Sequence, residues 1–77
     1  MQTKAVSVFD KKTGLYSDPF FVRHLGDALR QWDIVRKNPD TKYGKNPEDF
    51  DLFTVGVFDD ESGELIKEKP QHIASGV

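Results

Sequence analysis

The pattern of apolar and polar positions repeats once along the chain. Residues 6–14 and 55–63 both read V-x-V-F-D-x-x-[ST]-G. The apolar stretch is typical of a β-strand. In the turn that follows, Asp accepts hydrogen bonds from backbone amides and Gly adopts positive φ. The repeat therefore predicts two β-hairpins, and two copies are too few for a solenoid.

Between the repeats, apolar residues follow the spacing of an amphipathic α-helix. They fall at i, i+3, i+4, i+7 and i+10, namely at Leu25, Ala28, Leu29, Trp32 and Val35. Asp27 in the first turn and Arg36-Lys37 in the last turn suit the helix dipole, and Asn38-Pro39 ends the helix. Ile34 lies on the opposite side, either as an exposed aliphatic side chain or as an interface contact.

These elements predict an α+β fold, a small antiparallel sheet of two β-hairpins flanking one central helix in the order ββαββ, with the helix packed on one sheet face. We expect a single domain over residues 1–69 and a flexible C-terminal tail over residues 70–77, because the tail shows no apolar period. In the polar connection of residues 38–49, Asn46-Pro47 favours one short helical turn.

Both faces of the predicted sheet are apolar. Strict alternation places Phe53, Val55 and Val57 on one face, where we expect Trp32 of the helix to pack. The same alternation places four residues on the other face: Phe9, Phe50, Leu52 and Phe58. One helix covers one face, so this second face needs residues 16–22, a second copy of the chain or stacked nucleobases as its cover. Burial or dimerisation is favoured, because open aromatic patches promote aggregation.

Composition narrows the class of protein. The chain has 77 residues, 12% of them aromatic and none of them cysteine. The aromatic share argues against intrinsic disorder, and a chain without cysteine has neither disulfides nor cysteine-type zinc sites. No apolar run approaches the ~18 residues of a membrane span, and the N-terminus lacks the apolar segment of a signal peptide. We therefore expect an intracellular protein without membrane association.

Charge is distributed unevenly, although the net charge is only −2. Residues 1–47 carry +4 and residues 48–77 carry −6. A protein that neutralises nucleic-acid phosphates normally has a basic overall balance. Any nucleic-acid site in this chain therefore depends on a local patch in the first half.

Candidate phosphate contacts are the cations of that first half, namely Lys11, Lys12, Arg36, Lys37, Lys42 and Lys45. Tyr43 lies between the last two and is a candidate for stacking on a base. The alternative is a helix C-terminus neutralised by its own dipole, followed by a solvated loop.

Motifs for catalysis and metal binding are absent from the sequence. His24 and His72 are the only histidines, and neither has a partner at metal-ligand spacing. Residues 59–61 are all acidic but lack the alternating pattern that wraps calcium, which indicates a solvated turn. With no phosphate-binding glycine loop and no nucleophile elbow, we expect a protein that is not an enzyme and needs no cofactor.

Four ordered fragments resemble a known family. They are Phe9-Asp10-Lys11-Lys12-Thr13-Gly14-x-Tyr16 with Pro19-Phe20-Phe21, Asn38-Pro39-Asp40-Thr41, Pro47-Glu48-Asp49-Phe50-Asp51-Leu52-Phe53, and Gly56-x-Phe58-Asp59 with Ser62-Gly63-Glu64-Leu65. In this order and spacing the chain resembles the small nonstructural protein of gokushoviruses, which are single-stranded DNA phages of the Microviridae. The resemblance implies a DNA-binding protein of the host bacterial cytoplasm that is not a virion component. It also implies a role in the switch to single-stranded DNA synthesis and packaging.

Two hypotheses follow from the residues and the resemblance. In the first, the chain is a DNA-binding accessory protein that contacts phosphates through the six cations and bases through Tyr43 or the Phe9 and Phe58 face. In the second, it is a homodimeric interaction module that closes that face on itself and recruits viral replication, procapsid or host proteins. If DNA is bound, we expect the basic first half to bind it, which leaves the acidic half to face the replication initiator, the procapsid or nothing at all.

Overall fold

The computed structural model describes residues 1–77 as five β-strands, two α-helices and one 3-10 turn. The strands are β1 (Gln2–Asp10), β2 (Leu15–Tyr16), β3 (Phe20–Val22), β4 (Phe50–Asp59) and β5 (Leu65–Ser75). The helices are α1 (Leu25–Lys37) and α2 (Lys42–Lys45), and the 3-10 turn is Pro47–Asp49. The strands form one antiparallel sheet in the order β2-β1-β4-β5, with β3 pairing with β1 on the same edge as β2.

The α+β class, with a small antiparallel sheet and one main helix, is confirmed. The finer prediction of two plain hairpins around a helix is not met, because five strands form and α1 lies between β3 and β4. The break between β2 and β3 is tied to the centre of β1. There, the Ser7 hydroxyl donates to the Ser17 carbonyl at 2.7 Å, and the Ser17 amide donates to the Val8 carbonyl at 2.8 Å.

The two repeats form equivalent turns, as their shared pattern predicts. Gly14 and Gly63 have φ of 73° and 74°, and their amides donate to the carbonyls of Asp10 and Asp59 at 2.8 Å. The side chain of each aspartate accepts a hydrogen bond from the amide two residues later, at 2.9 Å in both turns. Both glycines therefore supply the left-handed conformation that closes the turn.

Helix α1 forms where the sequence predicts a helix, and it covers one face of the sheet. Its buried side chains are Ala28 and Trp32, and Leu25 and Val35 pack beside them. They meet five buried residues of the sheet, namely Val6, Val8, Val22, Phe50 and Leu52. Ile34 on the opposite side is 64% exposed. The helix fits neither the length nor the apolar character of a membrane-crossing segment.

The connection from α1 to β4 is more ordered than its polar sequence indicates. The predicted helical turn is present as the 3-10 turn Pro47–Asp49, and the unpredicted α2 precedes it. The Thr41 hydroxyl caps α2 by accepting a hydrogen bond from the Gly44 amide at 3.1 Å. A Cβ on Gly44 would collide with the Asn38 carbonyl, so this position requires glycine.

A β-bulge in β4 changes which residues lie under the helix. Val6 pairs with Thr54 while Ala5 pairs with Gly56, so Val55 has no partner in β1. Residues on the N-terminal side of the bulge are therefore shifted by one position relative to strict alternation. Phe50 and Leu52 consequently face α1, and Phe53 faces away from it. The expected assignment of these three residues to the two faces is wrong for this reason.

The C-terminal segment differs from the expected flexible tail. Residues 70–75 belong to β5, where Ser75 pairs with Asp51 and Ala74 pairs with Leu52. Pro70 lies in an irregularity of this edge strand, between the pairs made by Lys67 and Gln71, and proline is tolerated at such positions.

Two further contacts attach the end of the chain to the core. The Trp32 indole Nε1 donates to the Ser75 carbonyl at 2.9 Å, and the Gly76 amide donates to the Phe50 carbonyl at 2.8 Å. Gly76 is buried, and a Cβ at this position would collide with the carbonyl oxygens of Pro47 and Phe50. The last residues are therefore part of the domain.

Candidate nucleic-acid interface

The sheet face opposite α1 has no secondary-structure element packed over it. It carries most of the aromatic side chains that do not pack in or against the core. We define this open face by its ring-bearing residues, Phe9, Tyr16, Phe21, Phe53, Phe58 and His72. Cross-strand pairing brings them together, because Phe9 pairs with Tyr16 and Phe53 pairs with His72. Between the rings the strands carry small residues, such as Ala5 and Ser7, which are buried.

Four rings of the open face form one contiguous cluster around Phe53. The Phe53 ring centroid lies 5.9 Å from Phe9, 5.6 Å from Tyr16 and 5.4 Å from His72, in edge-to-face arrangements. Phe9 and Tyr16 are 4.7 Å apart. Such contacts favour a fixed arrangement of the rings. The Tyr16 side chain is nevertheless 45% exposed. The cluster is therefore an ordered aromatic surface that remains accessible.

The other two rings lie at the opposite end of the open face. Phe21 pairs with Ala5 on one side of β1, and Phe58 pairs with Thr3 on its other side. The ring centroids of Phe21 and Phe58 are 6.0 Å apart, and Phe21 is 46% exposed. The open face thus has one aromatic group at each end.

Asp51 lies at the edge of the four-ring cluster and is 9% exposed. Its Oδ2 lies 3.3 Å from Lys11 Nζ, and its Oδ1 lies 3.6 Å from His72 Nε2 without a hydrogen bond. Burying an unpaired carboxylate is unfavourable, so Lys11 stabilises the position of Asp51. Lys11 is therefore engaged within the protein.

Most of the other predicted phosphate contacts also have a partner within the protein. Lys12 lies 3.4 Å from Asp49, and Arg36 and Lys37 both pair with Asp33 at 2.5 and 3.1 Å. Lys42 lies over the Tyr43 ring at 5.4 Å from its centroid, whereas Lys45 is exposed and forms no ion pair. The structure therefore does not gather the six cations into one free patch.

Two residues expected at a ligand or partner surface, Phe50 and Leu52, lie in the core, and a third, Tyr43, packs against it. Tyr43 is half-buried, and its ring centroid lies 5.4 Å from that of Trp32 and 4.9 Å from that of Phe50 in edge-to-face contacts. Phe50 is 6% exposed, and Leu52 is fully buried. Of the predicted stacking or interface set, Phe9 and Phe58 lie on the open face, and these three do not.

Four residues of the open face escaped the prediction from sequence, namely Tyr16, Phe21, Phe53 and His72. The position of Tyr16 was predictable from the sequence, because a turn at residues 11–14 sets it opposite Phe9. The position of Phe53 was not, since its orientation depends on the bulge at Val55. No group of three or more histidine or carboxylate side chains is arranged to hold a metal ion.

The pairing of Arg36 and Lys37 with Asp33 gives a testable titration. Hydrogen bonds from Lys37 and then Arg36 hold the pKa of Asp33 below its ordinary value. Because the folded pKa is lowered, the pairing stabilises the last turn of α1 above the unfolded pKa and is lost as pH falls through the folded pKa. We expect Lys37→Gln to raise the pKa of Asp33 in an NMR titration of its carboxyl carbon. Lys45→Gln is the control and leaves it unchanged, and an unchanged pKa in Lys37→Gln would contradict the pairing.

Comparisons with known proteins identify the family. Residues 3–77 match the family model described as phage ORF5 protein, which covers nearly the whole chain. The chain therefore belongs to the phage ORF5 protein family. Neither the comparison with curated proteins nor that with solved structures returns a match.

Proposed function

We propose that this member of the phage ORF5 protein family is a nonstructural accessory protein that binds single-stranded DNA during viral DNA synthesis and packaging. The observation that carries the proposal is the open face, an antiparallel sheet surface with six rings, four of them in one contiguous cluster. Sheets with one helix-covered face and one aromatic face are used by several single-strand binders. The resemblance to gokushovirus nonstructural proteins supports the same function.

Stacking on the open face supplies the main attraction in this proposal. Bases stack on Phe9, Tyr16 and Phe53, and each base contributes ~1–3 kcal/mol. Every base has an aromatic face, so this mode tolerates any sequence. It also excludes duplex DNA, whose bases are already stacked on one another. An accessory protein that accompanies newly displaced single strands needs both properties.

Electrostatics play a smaller part than in most DNA-binding proteins. The net charge is −2, and Lys11, Lys12, Arg36 and Lys37 are paired with carboxylates. The N-terminal amine lies 2.6 Å from Asp60 and partly neutralises Asp60 and Glu61 of the acidic turn. Few phosphates are therefore neutralised, and binding depends less on salt than is usual.

Fluorescence anisotropy with a labelled single-stranded oligonucleotide tests the proposal. We expect binding at low salt and a slope of log affinity against log salt of about −1.4 to −2.8, which corresponds to about two to four phosphates at −0.7 each. The matching duplex is the control and binds weakly. Absence of binding at low salt would refute DNA binding, and a slope steeper than about −4 would refute a mode dominated by stacking.

A homodimeric interaction module is the second candidate, and the exposure of Tyr16 and Phe21 favours it. These rings are 45% and 46% exposed, and a second copy of the chain seated on the open face would cover them. In this candidate the chain recruits viral replication, procapsid or host proteins without contacting DNA. Light scattering at tens of micromolar separates the two, since a strictly monomeric mass contradicts the dimer.

The proposed site of action is the host bacterial cytoplasm, outside the virion. The resemblance implies a single-stranded DNA phage, whose single strands are made in that compartment, so a protein that binds them has its ligand at hand. The proposal involves no catalysis and no cofactor. Mass spectrometry of purified virions and of infected-cell lysates tests it, and a stoichiometric presence in the virion would contradict it.

A further inference from the structure

A shallow groove lies where β3 leads into α1, outside the open face. Its volume is about 590 Å³, and its charged lining comes from Arg23, Asp27 and Arg30, with His24 beside them. Phe21 also lines the groove. None of these residues belongs to the set of cations indicated by the sequence.

The two arginines of this groove are free, unlike most cations of the predicted set. Neither Arg23 nor Arg30 has a carboxylate within 4.0 Å, and their guanidinium groups donate no hydrogen bond within the protein. Asp27 follows Arg23 by four residues and precedes Arg30 by three, yet it pairs with neither. Both side chains are exposed and free to bind an anion.

The groove is continuous with the open face through Phe21. Phe21 is one of the residues that line the groove, and its ring lies 6.0 Å from the Phe58 ring, at the end of the open face away from the four-ring cluster. A single strand that stacks on the open face and continues past Phe21 over the β3 edge would bring its sugar-phosphate backbone to the two arginines. Guanidinium groups bind phosphate oxygens in pairs of parallel hydrogen bonds, which suits them to this position.

We propose that Arg23 and Arg30 bind backbone phosphates of a single-stranded nucleic acid that lies on the open face. The inference rests on the proposed function and deepens it by naming the phosphate contacts. Asp27 subtracts one charge from the groove, so the arginines act through direct hydrogen bonds rather than through a broad positive field. The ligand chemistry is a phosphodiester next to an unstacked base.

The test compares the salt dependence of oligonucleotide binding in the double variant Arg23→Gln/Arg30→Gln with that of the unchanged protein. Loss of two phosphate contacts reduces the slope by about 1.4. Raising the salt from 50 to 200 mM lowers the affinity of both proteins. The factor of loss is then about seven times smaller for the double variant than for the unchanged protein. The matched control is Arg36→Gln/Lys37→Gln, which removes two cations that are paired with Asp33 in the last turn of α1 and leaves the slope unchanged.

Each outcome decides the inference. A smaller slope in the arginine variant alone supports it, with circular dichroism showing that both variants are folded. Equal slopes in the arginine variant and the unchanged protein overturn it while leaving DNA binding intact. An equal reduction in the control variant also overturns it, since general electrostatics then explain the effect. If the unchanged protein binds no oligonucleotide, the proposed function fails and this inference fails with it.

Discussion

Deletion of residues 70–77 is expected to abolish the folded state of the domain. The deletion removes the pairing of residues 71–75 with the first half of β4, and it leaves the buried Trp32 indole without its acceptor, the Ser75 carbonyl. A buried donor without a partner costs ~1–3 kcal/mol, and each lost backbone hydrogen bond costs ~0.5–1.5 kcal/mol. A chain of 77 residues has a total stability of only about 4–12 kcal/mol. The sum of these losses is comparable to that total.

Circular dichroism and thermal unfolding of the truncated chain measure this effect. We expect no cooperative transition in the truncated chain, whereas the full chain unfolds in one step. If the truncated chain kept its melting temperature, this prediction would be contradicted, and residues 70–77 would be shown to be a flexible tail.

Two glycine substitutions provide a matched control for the packing of the C-terminal segment. Gly76→Ala places a methyl group against the carbonyl oxygens of Pro47 and Phe50, whereas Gly26→Ala in α1 meets open space. Alanine is favoured over glycine in a helix by ~0.8–1 kcal/mol, so Gly26→Ala raises or preserves the melting temperature. Gly76→Ala lowers it by roughly 4–8 °C for each 1 kcal/mol lost. Equal melting temperatures would show that the C-terminus is not closely packed.

Local signals in the sequence predicted the local structure well. The two turns follow from Asp and Gly at fixed spacing, and α1 follows from its apolar period and the Asn38-Pro39 stop. These features depend only on residues close in the chain. The division of residues between the two sheet faces depends on the pairing of β4 with β1, and the bulge at Val55 that reverses it leaves no mark in the local pattern. The continuation of β5 through residues 70–75 also depends on distant contacts, with Trp32 and Phe50, so the local pattern predicted a flexible tail there.

The candidate site was predicted in part, and ion pairing explains much of the rest. Asp33 precedes Arg36 and Lys37 by three and four residues, a spacing at which helical side chains pair, so that neutralisation was readable from the sequence. The pairs of Lys11 with Asp51 and Lys12 with Asp49 join residues about 40 positions apart and were not. A net charge counted along the chain therefore overstated the cations that are free to bind phosphate.

Replacement of Phe53 by leucine is expected to weaken the binding of single-stranded DNA by about fivefold to a hundredfold or more. Phe53 contacts Phe9, Tyr16 and His72, so its loss removes one stacking surface and loosens its neighbours. One stacked base contributes ~1–3 kcal/mol, which sets this range. Leucine keeps an apolar side chain at a half-buried position, so the domain stays folded, and circular dichroism checks this.

The substitution Ile34→Ser is the matched control, because Ile34 is an exposed apolar residue on the side of α1 that faces away from the sheet. It is expected to bind the oligonucleotide as the unchanged protein does. Anisotropy titrations of both variants at one low salt concentration, together with their masses in solution, distinguish three cases. Weaker binding by Phe53→Leu alone supports stacking on the open face. Unchanged binding by a folded Phe53→Leu refutes it. A change from dimer to monomer in Phe53→Leu, with no DNA binding by the unchanged protein, assigns the open face to a second copy of the chain.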